Sequence, residues 1–276
     1  MPPTHTAAPV WDPRQYLRYA EHRTRPFHDL LSRIPELPAQ GRPARIADLG
    51  CGPGNVTALL AVRWPDAHIT GLDSSAEMLD AAQRRAGPTP GGGILDFAFA
   101  DAGRWEPEER YDLIVSNAAL QWVPNHPEEL PRWLDSLAPG GTLAFQVPGN
   151  AVLPSHALLG KLCGTPRWRD RLGGHGRGFT HLLDPSQYLE RLSGPGRSVD
   201  AWETTYVRLL PGRDPVLEWV KGSALRPVLT ALEDDAEACA AFLAEYRELL
   251  RTAYPPGPHG TVFPFRRIFV VARREG

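Results

Sequence analysis

The chain is poor in lysine, in cysteine and in long apolar runs, and each shortage excludes a class of protein. Of the 30 basic residues only Lys161 and Lys221 are lysine, and the net charge of −2 gives no electrostatic reason to expect nucleic acid or an anionic membrane as a partner. Three scattered cysteines, Cys51, Cys163 and Cys239, show neither metal-ligand spacing nor a disulfide framework. No apolar run approaches the roughly 18 residues of a membrane span. We therefore expect no metal and no membrane insertion.

The first ten residues have neither the charged start nor the apolar core of a signal peptide. We expect a disordered tail at residues 1–10 and a cytoplasmic protein. Apolar residues make up 42% of the 276-residue chain and charged residues 22%, as in an ordinary globular protein. This length suits one large domain, or one domain with an elaborate insertion.

The most informative segment runs from Asp48 to Asn55. It follows a short apolar run and contains three glycines in five residues, Gly50, Gly52 and Gly54. Glycines in this number let the backbone turn sharply and approach a ligand closely. Asp73 ends the next predicted strand, about 20 residues downstream, where a carboxylate can accept hydrogen bonds from ribose hydroxyls. The pattern predicts a nucleoside-binding βαβ unit.

The spacing in this segment disfavours the commoner phosphate loops. A dinucleotide fingerprint needs a third glycine at the position that Asn55 occupies, and there is no Gly-x-x-x-x-Gly-Lys-Ser/Thr motif. Asp48, two residues before the first glycine, would repel a pyrophosphate but suits a cationic ligand. The segment therefore favours a positively charged nucleoside.

Short apolar runs alternate with helical patterns over the first 150 residues, which predicts a parallel sheet covered by helices on both faces. Strands are predicted near 44–49, 68–73, 94–100, 111–117 and 141–147, and helices near 12–31, 54–63, 75–86 and 126–137. Pro139-Gly140-Gly141 is predicted to form a turn before the fifth strand.

The pattern changes after residue 150. Strands are predicted at 201–210 and 268–272, with a short helix at 185–192 and a largely helical stretch at 214–254 between the two strands. We divide the chain into a tail at 1–10, a helical lead-in and ligand-binding core at 11–150, and a remainder at 151–274 that carries a helical cap at about 213–256.

Several motifs along nearly the whole chain point to one family. They include Trp11-Asp12-Pro13, Arg23-x-Arg25-Pro26, Asp48-Leu49-Gly50-Cys51-Gly52-Pro53-Gly54-Asn55, Gly71-Leu72-Asp73-Ser74-Ser75-x-x-Met78, Asn117-Ala118-x-Leu120-Gln121-Trp122, Thr204-Thr205-Tyr206, Leu225-Arg226-Pro227 and Arg267-x-Phe269-x-Val271-Ala272-Arg273-Arg274. Together they resemble the trans-aconitate methyltransferases. The resemblance implies the Rossmann-like class I methyltransferase fold, with a mostly parallel seven-stranded sheet and a helical cap insertion. Asp12 stands where this family usually has Asn, residues 88–93 look like an added loop, and residues 160–181 match poorly.

The resemblance also implies S-adenosylmethionine as cofactor and assigns residues to it. Asp48 would lie near the methionine ammonium, Asp73 would accept from both ribose hydroxyls, and Asn117 would line the pocket near the sulfonium. The full cofactor set is Asp48, Gly50, Cys51, Gly52, Gly54, Asp73, Ser74, Met78, Asp101, Ala102 and Asn117. Two members have alternatives that stay open, because Asp101 could instead be a helix cap or a solvated loop acid and Met78 could simply pack in the core.

The implied reaction transfers a methyl group to a carboxylate oxygen of a small polyacid, giving a monomethyl ester and S-adenosylhomocysteine. A carboxylate with a pKa of about 4 is already ionised at neutral pH, so no catalytic base is predicted. Arginine forks suit the remaining carboxylates of such an acid. The predicted substrate contacts are Tyr16, Arg25, Trp122, Gln146, Tyr206, Trp219, Arg226 and Arg267.

Other functions stay open at this point. The acceptor could instead be a natural-product hydroxyl, an amine or another acid, since the cap sets substrate choice. A non-catalytic sensor that binds a nucleoside or an acid is disfavoured by the intact Asp48, Asp73 and glycine set. A hydride-transferring dehydrogenase is disfavoured by the missing third glycine of its fingerprint. The sequence leaves the oligomeric state undecided.

Overall fold

The computed structural model describes residues 20–39, 41–172, 174–175 and 181–276. The predicted tail at 1–10 and the substrate candidate Tyr16 lie outside these ranges. The described part of the predicted N-terminal helix is α1, Ala20–Leu31.

Strands and helices alternate through the first half, as predicted. Their bounds are β1 Arg45–Leu49, α2 Thr57–Arg63, β2 His68–Asp73, α3 Ala76–Ala82, β3 Gly87–Pro88, β4 Ile94–Phe99, β5 Tyr111–Asn117, α4 His126–Asp135 and β6 Leu137–Pro148. Short 3₁₀ turns follow α3 at Gln83–Arg85 and precede α4 at Leu120–Trp122. The second half contains α5 Pro154–Cys163, α6 Arg169–Leu172, α7 Pro185–Leu192, β7 Arg197–Leu210, α8 Pro215–Lys221, α9 Arg226–Ala231, α10 Ala236–Ala253, β8 Pro256–Gly257 and β9 Gly260–Arg274.

The strands form one sheet in the order β3-β4-β2-β1-β5-β6-β9-β7, with β8 paired to β9 outside this path. The pairs β4–β2, β2–β1, β1–β5 and β5–β6 are parallel, and β6–β9 is antiparallel. Seven long strands carry the sheet, and β3 and β8 add two residues each. This mostly parallel arrangement with helices on both sides confirms the predicted Rossmann-like class I methyltransferase fold.

The central strands are apolar because both of their faces are buried. In β5 every residue from Asp112 to Asn117 is buried, which explains its unbroken apolar run. Asp112 is tolerated inside because the Arg42 guanidinium donates to both carboxylate oxygens, at 2.7 and 2.8 Å, and the Arg45 N–H donates at 2.8 Å. Because these strands are parallel, their carboxyl ends lie at the same edge of the sheet.

The predicted turn at Pro139-Gly140-Gly141 is wrong. These residues lie inside β6, where the pairing with β5 passes from Tyr111–Leu137 to Leu113–Thr142 and three extra residues bulge from the strand. Gly140 has a φ of +80°, so glycine serves this irregularity and not a chain reversal.

Several predicted boundaries also move. Helix α2 starts at Thr57 instead of residue 54, because Gly54-Asn55-Val56 belongs to the turns that follow β1. Strands β7 and β9 start four and eight residues earlier than predicted. The first half of β7 is polar, and β9 contains Pro264, a residue that ordinarily argues against a strand.

The chain divides into two compact units, a sheet unit and a cap unit. The sheet unit comprises the described residues of Asp12–Gly149, His181–Thr204 and Arg266–Gly276, and its core contains Trp133, Phe145 and Tyr188.

The cap unit comprises the described residues of Asn150–Thr180 and Thr205–Phe265. Within it α10 is tied to α5, because the Tyr246 hydroxyl donates to the Ser155 carbonyl at 2.6 Å and the Ser155 N–H donates to the Tyr254 hydroxyl at 3.1 Å.

Candidate active site

The glycine-rich loop follows β1 directly and is hydrogen-bonded to the end of β2. The N–H groups of Gly50 and Cys51 both donate to the Leu72 carbonyl, at 2.7 and 3.0 Å. Because β1 and β2 are parallel neighbours, their carboxyl ends are adjacent, which is where open α/β sheets bind ligands. The structure therefore brings the loop and Asp73 together.

The three glycines of the loop have different surroundings. All have positive φ, at +75° for Gly50, +56° for Gly52 and +73° for Gly54. A Cβ at Gly50 would lie 2.1 Å from the Cβ of Ala119, and one at Gly54 would lie 2.7 Å from Cζ of Phe97. A Cβ at Gly52 would meet no heavy atom within 4 Å. Gly50 and Gly54 are therefore required by internal packing, whereas the position of a Cβ at Gly52 is open space.

Asp73 is held firmly by backbone donors. The Gly52 N–H donates to Oδ2 at 2.8 Å and the Ser75 N–H donates to Oδ1 at 2.9 Å. Each carboxylate oxygen keeps acceptor capacity for a second donor, so a pair of vicinal hydroxyls matches this carboxylate. Ser74 beside it is exposed.

Asp48 is completely buried at the end of β1. The Thr57 hydroxyl, which lies outside the sequence motifs, donates to its Oδ2 at 2.7 Å. Its Oδ1 is buried and has no hydrogen-bond partner among the residues that the structure describes. Burial raises the pKa of Asp48 to about 7; the Thr57 hydrogen bond lowers it in part, and the charge of Asp73 raises it further. A cation beside Oδ1 would relieve this unfavourable arrangement.

The predicted adenine contacts have ordinary structural roles as well. Met78 is 4% exposed and its N–H donates to the capping Ser75 hydroxyl at 3.3 Å. Asp101 is exposed, and its Oδ1 accepts from the Gly103 N–H at 2.9 Å, the turn arrangement that was its alternative. Ala102 next to it is half-buried. The contacts of these residues with adenine stay predictions.

A buried polar row runs across three neighbouring strands. The Gln146 amide on β6 donates to Asn117 Oδ1 at the end of β5, at 2.6 Å, and Arg267 Nη1 on β9 donates to Gln146 Oε1 at 3.4 Å. All three residues are at most 9% exposed. The row connects a predicted cofactor contact to two predicted substrate contacts, and burying a guanidinium here places positive charge close to the strand ends.

The segment after β5 is braced by contacts that the sequence did not reveal. Ala118 has a φ of +55°, and its carbonyl accepts from the Gln121 amide at 2.6 Å. The Gln121 carbonyl lies 2.8 Å from Nε2 of His181. Trp122, the predicted substrate contact, is half-buried at the end of this 3₁₀ turn. His181 lies 60 residues away in sequence, so no local pattern could have identified it.

The remaining substrate candidates fall in different units. Arg25 is exposed on α1 of the sheet unit. Tyr206, Trp219 and Arg226 belong to the cap unit, where Tyr206 stacks on Phe265 at 5.2 Å between ring centroids and Trp219 lies 5.7 Å from the same ring. Arg226 begins α9 and is half-buried.

The sheet-unit site fits a cationic nucleoside such as S-adenosylmethionine. Two carboxylates, Asp48 and Asp73, flank a loop whose open side is at Gly52, and no lysine or arginine occurs between residues 46 and 62. Within the described ranges no three His, Cys, Asp or Glu side chains are grouped to hold a metal ion, and no helix is long and apolar enough to cross a membrane.

Comparisons with known proteins identify the family and the fold. The family model described as a methyltransferase domain matches residues 19–192, more than half of the chain. A putative methyltransferase solved in a complex with the Haloferax volcanii Trm112 methyltransferase activator superposes with a TM-score of 0.54 at 17% identity, covering 96% of this chain and 94% of that one. That structural likeness shows the fold alone.

Two curated relatives are much more similar. The trans-aconitate 2-methyltransferase of Streptomyces avermitilis is 63% identical over 270 residues, which is 98% of each chain. The protein of the same name from Streptomyces coelicolor is 61% identical over 267 residues, covering 97% of this chain and 88% of the relative. These identities over nearly the full length confirm the resemblance seen in the motifs: the chain belongs to the trans-aconitate 2-methyltransferase family.

Proposed function

We propose that this protein transfers the methyl group of S-adenosylmethionine to a carboxylate oxygen of trans-aconitate, forming a monomethyl ester. The observation that carries this proposal is the 63% identity over 98% of the chain to a relative of that name. The class I fold and the acidic, glycine-lined site at the carboxyl ends of β1 and β2 are consistent with it.

The residues of the sheet unit suit the methyl donor. Asp73 would accept from the two ribose hydroxyls, and Asp48 would pair with the amino group of the methionine portion. The open space at Gly52 supports this placement of the donor. When bound, the donor supplies a methyl group activated by positively charged sulfur.

The proposed reaction requires the protein to bind its two substrates but does not require a catalytic base. The attacking carboxylate is ionised at neutral pH, so no side chain has to remove a proton from it. Rate acceleration then comes from holding the acid and the donor in line and from excluding water. No catalytic base is proposed, and the contribution of this chain is positioning.

For the acid, the buried row supplies the strongest candidates. Arg267 carries a positive charge that Gln146 orients through Oε1, and Asn117 orients Gln146 in turn. We propose that Arg267 pairs with a carboxylate of trans-aconitate that does not react. Arg226, Arg25, Trp122, Tyr206 and Trp219 remain further candidate contacts, and so does Tyr16.

Cellular location follows the same proposal. Cys51, Cys163 and Cys239 are free thiols, as is usual in a reducing compartment, and we place the reaction in the cytoplasm.

The first experiment incubates the purified protein with S-adenosylmethionine and trans-aconitate, cis-aconitate, citrate or isocitrate, and detects methyl esters by mass spectrometry. We expect an ester of trans-aconitate well above the other products. Donor binding without an ester from any of these acids would discard the substrate and favour another acceptor.

A pair of variants then tests the positioning of the acid. Arg267→Gln should raise KM for trans-aconitate by about tenfold or more, since hydrogen bonds to charged groups contribute about 1.5–3 kcal/mol. Binding of S-adenosylhomocysteine should be unchanged in this variant. Arg274→Gln, a change of the same kind at a half-buried arginine on the same strand, is the matched control and should leave KM unchanged.

A further inference from the structure

The cap unit contains a pocket of its own, with a volume of about 270 Å³. That volume is close to the lower end of small-molecule sites, roughly 300 Å³. Every residue that lines it belongs to the cap unit, and none of them is a candidate contact for the methyl donor or for the acid. The lining residues are Gly212, Arg213, Asp214, Pro215, Val216, Leu217, Arg247, Leu250, Arg251, Tyr254, Pro256 and Thr261.

Three guanidinium groups of this lining surround one carboxylate. Arg251 donates to both oxygens of Asp214, from Nε at 2.6 Å and from Nη2 at 3.1 Å. Arg247 Nε lies 3.3 Å from Oδ2, and Arg213 Nε lies 3.7 Å from the same oxygen. The Asp214 carboxylate is thus the shared partner of three arginines, and its shortest contacts are with Arg251.

The pocket therefore carries excess positive charge. Among the residues that the structure describes, Asp214 is the one carboxylate within 4 Å of Arg213 or Arg247, whereas Arg251 also meets Glu248 at 2.8 Å. The hydrogen bonds from Arg251 hold the pKa of Asp214 below its ordinary value, so this carboxylate is ionised at neutral pH. Arg247 and Arg213 are 36% and 88% exposed and can turn towards a second anion.

The rest of the lining is largely apolar. Val216, Leu217 and Leu250 are buried members of α8 and α10, and Pro215 and Pro256 add ring surfaces. The Tyr254 hydroxyl already accepts from the Ser155 N–H at 3.1 Å, so the tyrosine contributes mainly its ring. Polar ligands such as polyacids or phosphate would lose hydrogen bonds to water against such a lining, and the apolar side chains would offer no hydrogen bonds in their place.

We propose that this pocket is a second ligand site, which binds a small monocarboxylate with an apolar body, such as a short-chain alkyl or aryl acid. Its carboxylate pairs with Arg247 and Arg213, whose planar guanidinium groups suit a carboxylate. Its hydrocarbon part packs against the apolar lining, in which the half-buried Pro215 and the exposed Pro256 offer more surface than the buried Val216, Leu217 and Leu250. The site needs neither the methyl donor nor the acid that the enzyme methylates.

Binding is tested on the full-length protein with hexanoate as the probe, using saturation-transfer NMR titrations. Saturating S-adenosylhomocysteine and trans-aconitate are present throughout, so that the active site is filled. Hexanamide, which has the same shape without the charge, and inorganic phosphate, which has charge without an apolar body, are the comparison ligands. We expect saturable binding of hexanoate in the millimolar range or tighter and much weaker binding of the other two.

Variants assign the binding to this pocket. Arg247→Gln should weaken hexanoate binding by about tenfold, and Arg213→Gln, at a highly exposed residue whose change leaves folding intact, should weaken it in the same direction. Asp214→Asn removes the internal competitor while keeping a side chain that tolerates the left-handed backbone at φ +53°, so it should tighten binding. Arg169→Gln, at an exposed arginine of the same unit outside the pocket, should change nothing.

Three results would overturn the proposal. The first is the absence of saturable hexanoate binding to the unaltered protein. The second is unchanged affinity in both Arg213→Gln and Arg247→Gln, with circular dichroism confirming that the variants are folded. The third is hexanamide or phosphate binding as tightly as hexanoate, which would show that the ligand class is wrong.

Discussion

Asp48 combines two properties that a surface carboxylate does not have. It is fully buried, and its Oδ1 lacks a hydrogen-bond partner among the described residues. A buried charge without compensation is costly, and the usual outcomes are protonation or pairing with a cation. The sequence could suggest the cationic ligand from the acid before Gly50, but the raised pKa depends on burial and on Thr57, which only the fold reveals.

The first prediction concerns the pH dependence of cofactor binding. Burial raises the pKa of Asp48 to about 7 in the ligand-free protein. Below that pH the Asp48 carboxyl group carries a proton, which it must lose before it can pair with the ammonium group of the ligand. Affinity for S-adenosylhomocysteine should therefore increase as pH rises from 5.5 to 7.5, on the order of tenfold, and level off above it. Isothermal titration calorimetry at a series of pH values measures this change.

The matched variants for this test are Asp48→Asn and Asp80→Asn. Asp48→Asn should bind more weakly at pH 7.5 and lose the dependence on pH, whereas Asp80→Asn, at an exposed carboxylate of α3, should behave like the unaltered protein. A flat affinity profile in the unaltered protein would mean that Asp48 does not face the ammonium group.

At the scale of elements, the glycines of the loop after β1 have different structural roles. A glycine pattern in a sequence predicts a sharp turn, but it does not distinguish residues needed for packing from residues needed for the ligand. Gly54 lies against Phe97 of β4, which is 43 positions further along the chain, whereas Gly52 faces open space. The distinction requires the sheet order, because β4 reaches the loop only through its pairing with β2.

The second prediction contrasts these two glycines. Gly52→Ala should lose only the left-handed backbone preference, about 1–2 kcal/mol of unfolding free energy, and should weaken S-adenosylhomocysteine binding by about tenfold or more as its Cβ enters the ligand space. Gly54→Ala adds a contact of 2.7 Å with Phe97 to the same backbone cost, so it should be the less stable variant. Urea unfolding and calorimetry measure the two effects, and equal stability losses would contradict this division.

The third prediction concerns the contact between α4 and α7. His126 Nδ1 lies 2.9 Å from the Val123 carbonyl oxygen, and its Nε2 lies 2.7 Å from the Tyr188 hydroxyl, so the neutral ring donates at one side and accepts at the other. Burial lowers the pKa of His126 to about 4. Since this value is below that of the unfolded chain, about 6.5, stability is intact above pH 6.5 and decreases as pH falls towards 4.

Between pH 7.5 and 5.0 the unfolding free energy should fall by about 2 kcal/mol from this group. Asp48, whose pKa burial raises to about 7, changes stability in the opposite direction over this interval, so the contribution of His126 is read as the difference between the unaltered protein and His126→Gln in urea unfolding at both pH values. His126→Gln keeps an amide that can donate and accept without titrating, so this loss of about 2 kcal/mol should be absent in that variant. His28→Gln, at an exposed histidine of α1, should leave it unchanged. A pH effect of the same size in both variants would assign it elsewhere.

The elements that sequence patterns predicted well are those with continuous apolar cores. Strands β1, β2 and β5 fall within a residue of their predicted bounds, because buried parallel strands need unbroken apolar runs. The errors occur where tertiary pairing overrides local signals, at the glycines inside β6 and at the proline inside β9. The links from Gln121 to His181 and from Gln146 to Arg267 span 60 and 121 positions, so no local pattern could predict them.

At the scale of the whole molecule, segments of the sheet unit and of the cap unit alternate along the sequence. The chain leaves the sheet unit at residue 150, returns for 181–204, leaves again and returns at 266. A linear boundary near residue 150 describes only the first of these crossings. The arginine pocket of the cap unit draws on three separate segments, 212–217, 247–256 and residue 261, and it emerges only from their packing.

The last prediction uses this division to locate the cofactor. S-adenosylhomocysteine at 100 times its Kd should stabilise the folded protein by about 2.7 kcal/mol, because it binds only the folded state. Hydrogen exchange should show the added protection in the sheet unit, between residues 45 and 117, where the loop, Asp73 and Asn117 lie. NAD should give no stabilisation, since the third glycine of its fingerprint is absent, and Asp73→Asn should reduce the effect of S-adenosylhomocysteine. Equal stabilisation by NAD, or protection confined to the cap unit, would refute the placement of the cofactor at the carboxyl ends of β1 and β2.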